Sequence, residues 1–182
     1  DATWGPLIDP RRIGFFGFSA GGYTGLMLGG ASPNFRLVQQ YCVSHRADAS
    51  FCPFSTVPTP LKALKTADAR FKAMVLAAPV GLIFEREALQ DVKVPTLLMW
   101  GDEDQVLIPA YNAEVVARAL PILAGQEVIH GAGHYVFISP CSSDLASIAP
   151  EICTDKAGID RTGIHARLNA VIFAFFSNSL QT

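Results

Sequence analysis

Charged residues and long apolar segments are scarce in this sequence of 182 residues. Only 16% of the residues are charged, the formal net charge is −2, and lysine and arginine never form a run longer than two. Such a composition provides no basic surface of the kind that binds nucleic acid or an anionic membrane. The apolar runs at 73–80 and 170–176 are much shorter than the roughly 20 residues of a membrane-spanning helix. We therefore expect no nucleic-acid partner and no membrane span.

Cysteine is also rare, but its four copies fall into two local pairs. Cys42 and Cys52 form one pair, and Cys141 and Cys153 form the other. Neither pair has the C-x-x-C spacing typical of a zinc site, and we predict no metal site. We interpret the pairs as two disulfides in a periplasmic or secreted protein, because disulfides persist in oxidising compartments. The alternative is four free, buried cysteines in a cytosolic enzyme.

The organisation of the chain indicates a single domain with alternating strands and helices. Its length suffices for one substantial core, and no repeat, low-complexity tract or linker divides it. Apolar runs predict strands at 12–18, 71–80, 96–100 and 127–129, and other segments predict helices at 23–30, 59–69, 84–89, 110–120 and 162–177. Two irregular segments are predicted at 34–60 and 140–153. This alternation predicts an α/β fold with a mostly parallel sheet and helices on both faces.

The first predicted strand ends in the motif Gly17-Phe18-Ser19-Ala20-Gly21, and a helix of small residues follows. That context is typical of a strained turn that raises a nucleophilic serine above the sheet. We expect Gly17 and Gly21 to be necessary because side chains there would clash with the neighbouring strand and helix. The amide of Ala20, at the N-terminus of the helix, is the predicted oxyanion donor. A phosphate-binding loop is the alternative, but its spacing differs and its lysine is absent.

A serine nucleophile needs a positioned base, and that base needs an orienting acid. Asp104 follows the third predicted strand, and His134 follows the fourth. The carboxyl ends of parallel strands meet at one edge of a sheet, so both side chains are expected near the serine. Asp102 and Glu103 are alternative acids, and His130 is an alternative base.

Three segments, 12–24, 94–104 and 133–137, carry a resemblance to a known family. They resemble the bacterial "predicted dienelactone hydrolase" group of α/β-hydrolases, which are relatives of platelet-activating-factor acetylhydrolase-like esterases. True dienelactone hydrolases carry a cysteine nucleophile where this sequence has Ser19. The family label therefore does not specify the substrate.

The resemblance implies the α/β-hydrolase fold and a serine esterase that acts on a small-molecule or lipid-like ester without a metal or organic cofactor. It implies that Ser19 is the nucleophile, His134 the base and Asp104 the orienting acid. Two alternatives are a catalytically silent domain that binds a ligand or partner, and an acyltransferase.

The resemblance also implies strands that precede the nucleophile strand. Residues 1–182 are therefore expected to be the C-terminal portion of a single α/β-hydrolase domain. We expect the missing N-terminal portion, in the same protein or in a companion chain, to pair with the first strand. That portion would also supply the second oxyanion donor.

Overall fold

A four-stranded parallel sheet forms the centre of the computed structural model, which describes residues 1–56 and 66–181. The strands are β1 (Ile13–Phe18), β2 (Phe71–Ala77), β3 (Thr96–Gly101) and β4 (Leu123–Ile129), and they lie in the order β1-β2-β3-β4. Each neighbouring pair is parallel. The predicted parallel sheet is confirmed, and β1 forms one edge of it among the described residues.

Seven α-helices and four short 3-10 turns occur in the described part of the chain. The helices are α1 (Ala20–Leu28), α2 (Arg36–Ser44), α3 (Arg86–Leu89), α4 (Ala113–Ala119), α5 (Ser143–Ile148), α6 (Pro150–Cys153) and α7 (Arg161–Ser179). The 3-10 turns are Gly5–Leu7, Cys52–Phe54, Pro109–Tyr111 and His134–Phe137. None of these helices is long and apolar enough to cross a membrane.

Each face of the sheet has its own core, because alternate residues of a strand point to opposite sides. On one face, Leu76 of β2 belongs to a buried cluster with Leu26 of α1 and Val116 of α4. On the other face, Val75 belongs to a second cluster with Leu168 of α7. The helices therefore cover both faces, as the alternating sequence pattern predicts for the α/β class.

The segments predicted to be irregular contain helices. Helix α2 lies within 34–60, and α5 and α6 lie within 140–153. Val38, Tyr41 and Cys42 are the buried residues of α2, and their i, i+3, i+4 spacing is helical. The surrounding prolines, serines and cysteines obscured that pattern. The helix predicted at 59–69 lies largely outside the described residues, and residues 66–69 form no helix.

Both predicted disulfides are present. Cys42 of α2 is bonded to Cys52 in the following 3-10 turn, and Cys141 is bonded to Cys153 at the end of α6. The chain therefore has no free cysteine. Each bond closes a short loop, so the two segments with the least regular sequence are cross-linked within themselves.

Candidate active site

Ser19 lies in a tight turn between β1 and α1. Its backbone has φ 55° and ψ −116°, a conformation that is costly for a residue with a side chain. The turn is held because the Ser19 amide donates to the carbonyl of Ala77 on β2 at 2.9 Å. A Cβ atom on Gly17 would lie 2.3 Å from the carbonyl oxygen of Gly21, so the predicted need for glycine at position 17 is confirmed.

The prediction that Gly21 avoids a clash is wrong. A Cβ atom at Gly21 would have no neighbour within 4 Å among the described atoms. The crowded position is Gly22, where a Cβ atom would lie 2.6 Å from Cβ of Pro79. Within α1, Gly22 faces Pro79 in the segment after β2. The residue that must be small for close packing is therefore Gly22, one position later than the motif suggests.

Ser19, His134 and Asp104 form a continuous chain of hydrogen bonds. Nε2 of His134 lies 3.0 Å from Oγ of Ser19, and Nδ1 of His134 lies 2.6 Å from Oδ2 of Asp104. The side chains of His134 and Asp104 are only 3% and 1% exposed. The second Asp104 oxygen, Oδ1, accepts from the amides of Val106 and Leu107 at 2.8 and 2.7 Å. The carboxylate is therefore held in place on both sides.

The alternative acids and base contact other residues. Asp102 pairs with His130, whose Nδ1 lies 2.7 Å from Oδ2, and the amide of Gly131 donates to Oδ1 at 2.7 Å. The hydrogen bond from His130 lowers the pKa of Asp102. Glu103 pairs with Lys156. Asp104 is thus the acid that the fold places against His134.

Ala20 is the first residue of α1 and is exposed. Its amide donates no hydrogen bond to another described residue. Backbone amides at a helix N-terminus carry a partial positive charge that attracts anions. The position predicted to provide an oxyanion donor therefore has its amide available.

Asn112 anchors the segment that follows β2, although no sequence motif marks it. Its side chain is almost fully buried, and its Oδ1 accepts from the amides of Gly81 and Leu82 at 3.0 and 3.2 Å. The same segment approaches the nucleophile, because the Val80 amide donates to the Ser19 carbonyl at 3.4 Å. The sequence signal available was an asparagine immediately before helix α4, which suggests a helix cap. Its side chain instead accepts hydrogen bonds from a loop that is distant in the sequence.

The surroundings of His134 include a cavity. A cavity of about 230 Å³ lies beside His134 and Tyr135, and Glu103, Gln105 and Glu151 also line it. In residues 1–56 and 66–181, no group of three or more His, Cys, Asp or Glu side chains could hold a metal ion.

Comparison with known proteins finds similarity among solved structures only. No protein-family model matches the chain, and no curated protein matches it. The carboxylesterase Cest-2923 from Lactobacillus plantarum WCFS1 is similar in structure, with a TM-score of 0.49 and 16% sequence identity. The similarity covers 83% of this chain and 60% of that carboxylesterase, so this chain spans less than two thirds of its length.

Proposed function

We propose that the chain belongs to a serine hydrolase that cleaves carboxylic esters through Ser19, His134 and Asp104. The observation that carries the proposal is the hydrogen-bond chain from the buried Asp104 through His134 to Ser19. Its three members come from the ends of β1, β3 and β4, which is where parallel sheets place their sites. Strain at Ser19 supports the proposal as well, because strained residues cluster at functional sites.

The hydrogen bonds determine how the proton moves. A carboxylate can only accept, so Nδ1 of His134 donates to Asp104 and Nε2 is left to accept from the Ser19 hydroxyl. As Oγ attacks the ester carbonyl, its proton passes to Nε2, and the Asp104 carboxylate stabilises the imidazolium. The imidazolium then returns the proton to the leaving alcohol, and water cleaves the acyl-enzyme by the same route.

The tetrahedral intermediate carries a negative oxygen that needs hydrogen-bond donors. The free amide of Ala20 provides the first donor. We propose that the second comes from an N-terminal portion, in the same protein or a companion chain, that pairs with β1. Within the described residues β1 has a partner on one side only, and Phe16 on this strand is 50% exposed. An open apolar edge of this kind promotes aggregation unless another segment covers it.

Two alternative hypotheses each have their own test. One is a silent domain that binds a ligand or partner, and the other is an enzyme that transfers the acyl group to an acceptor other than water. A fluorophosphonate probe labels an activated serine and leaves a silent one unlabelled. Product analysis with added alcohols separates acyl transfer from hydrolysis.

We also propose export to the periplasm or the exterior, with which the two disulfides are compatible.

The decisive experiment is substitution of the nucleophile. We expect Ser19→Ala to lower kcat for a p-nitrophenyl ester on the order of 10⁴-fold or more. Ser147→Ala is the matched control, because Ser147 is an exposed serine on α5 whose hydroxyl donates to the Ser143 carbonyl within the same helix. Near-normal turnover by Ser19→Ala would refute the assignment.

A further inference from the structure

Two loops meet beside Ser19: the acid loop, residues 101–104, and the base loop, residues 130–134. The amide of Glu103 donates to the carbonyl of Ala132 at 3.1 Å. A Cβ atom on Gly101 would lie 2.2 Å from that same carbonyl oxygen. The loops are therefore in direct contact, with no room for a side chain between them at this point.

Asp102 accepts a hydrogen bond from the backbone near the start of the base loop. Its Oδ1 accepts from the Gly131 amide at 2.7 Å. Gly131 has a φ of +74°, in the left-handed region that favours glycine. His134 follows three residues later, so the conformation at Gly131 sets the direction in which the chain reaches it. The hydrogen bond to Asp102 therefore holds the backbone at Gly131.

The other oxygen of Asp102 accepts a hydrogen bond from an exposed imidazole. Oδ2 accepts from Nδ1 of His130 at 2.7 Å, and this bond lowers the pKa of Asp102, which stays ionised at neutral pH. The His130 side chain is 85% exposed, and exposed pairs of this kind contribute little to stability. The bond to Gly131 is the one through which the Asp102 side chain holds the backbone of the base loop.

We propose that Asp102 is a positioning residue for the reaction at Ser19, and that it acts by holding the Gly131 amide. The inference rests on the proposed role of His134 as the base. Asp104 orients the imidazole ring of His134, whereas Asp102 orients the backbone that carries the ring. Displacement of a catalytic group by about 1 Å can cost on the order of 100-fold in rate, which gives this contact a measurable effect.

Three variants separate the two contacts of Asp102. Asp102→Ala removes both bonds, and we expect kcat to fall about 10- to 100-fold with KM unchanged, because the base is misplaced. Asp102→Asn keeps an oxygen that accepts from Gly131, and it should restore most of kcat. His130→Ala removes only the exposed pair, and it should leave kcat unchanged. Wild-type kcat in Asp102→Ala, or an equal loss in His130→Ala, would overturn the proposal.

A readout independent of turnover distinguishes this inference from the proposed function. The Nδ1 proton of His134, bonded to Asp104, should give a low-field proton NMR resonance. We expect the resonance in the wild type, Asp102→Asn and His130→Ala, and its loss or broadening in Asp102→Ala. A sharp, unshifted resonance in Asp102→Ala overturns the inference. If the wild type cleaves no ester but the resonance behaves as expected, the esterase proposal fails, while the effect of Asp102 on the position of His134 stands.

A variant with conserved charge covers the case in which Asp102→Ala does not fold. Asp102→Glu keeps the negative charge but displaces the acceptor by one methylene group. It should show the same fall in kcat and the same loss of the His134 resonance. Wild-type values for both measurements in Asp102→Glu would contradict the proposal.

Discussion

Nε2 of His134 lies 3.0 Å from Oγ of Ser19, although 115 positions separate the two residues in the chain. Parallel pairing of β1 to β2, β2 to β3 and β3 to β4 brings them together, because all four strands end at the same edge of the sheet. The contact therefore depends on the whole sheet. Any change that shifts the relative register of these strands should separate base from nucleophile.

Asp104→Asn should lower kcat/KM for a p-nitrophenyl ester by about 10⁴-fold. An amide at this position can donate to Nδ1 of His134, which would leave Nε2 protonated and unable to accept from Ser19. Steady-state kinetics with purified variants provides the measurement.

Glu103→Gln is the matched control for that substitution. Glu103 lies in the same loop, is exposed and pairs with Lys156 rather than with His134. We expect its kcat/KM to match the wild type. If Asp104→Asn retains wild-type activity, or if Glu103→Gln loses as much, then Asp104 is not the orienting acid.

Gly22→Ala should lower the free energy of unfolding by about 1–3 kcal/mol, because the added methyl group would overlap Pro79. Gly21→Ala should maintain or raise it by about 0.4–1 kcal/mol, because no described atom approaches that position and alanine restricts the unfolded chain. Urea unfolding of the two variants measures the difference. An equal loss at both positions would mean that the space beside Gly21 is filled.

Thiol titration tests the disulfides directly. The denatured, unreduced chain should show no free thiol, and all four cysteines should react after reduction. Replacing Cys42 and Cys52 together with serine should lower the free energy of unfolding by about 2–4 kcal/mol. Detection of free thiols before reduction would contradict the bonded pairs.

Arg161→Ala should lower the free energy of unfolding by about 3–5 kcal/mol, because it leaves a largely buried carboxylate without its partner. The Arg161 side chain is 6% exposed, and its Nε and Nη2 groups donate to Asp155 at 2.7 and 3.0 Å.

Arg167→Ala is the control on the same helix. Arg167 pairs with Glu127 at the surface, and exposed pairs contribute about 0–1 kcal/mol. Urea unfolding compares the two arginine variants. A similar loss in both would show that burial of the Arg161 pair has no special effect.

The α/β class, the approximate positions of the strands and the cysteine pairs could be predicted because each depends on local sequence. The fourth strand, predicted at 127–129, is longer and begins at Leu123. The apolar runs of β2 and β3 are buried on both faces, and such strands are recognisable without knowledge of their partners. Helix α2 could not be predicted, since turn-forming residues surround its few apolar positions. The role of Asn112 was also missed, because its partners at Gly81 and Leu82 lie about thirty residues away.

The sequence by itself determined an α/β domain with a candidate nucleophile at Ser19, since consecutive residues encode a strand, a strained turn and a helix. Only the tertiary structure decided which acid meets which histidine. Asp102 and Asp104 stand two positions apart in one loop, yet the first bonds His130 at the surface and the second bonds the buried His134. That choice depends on how the loops after β3 and β4 pack together, and contacts between such distant segments leave no periodic pattern in the sequence.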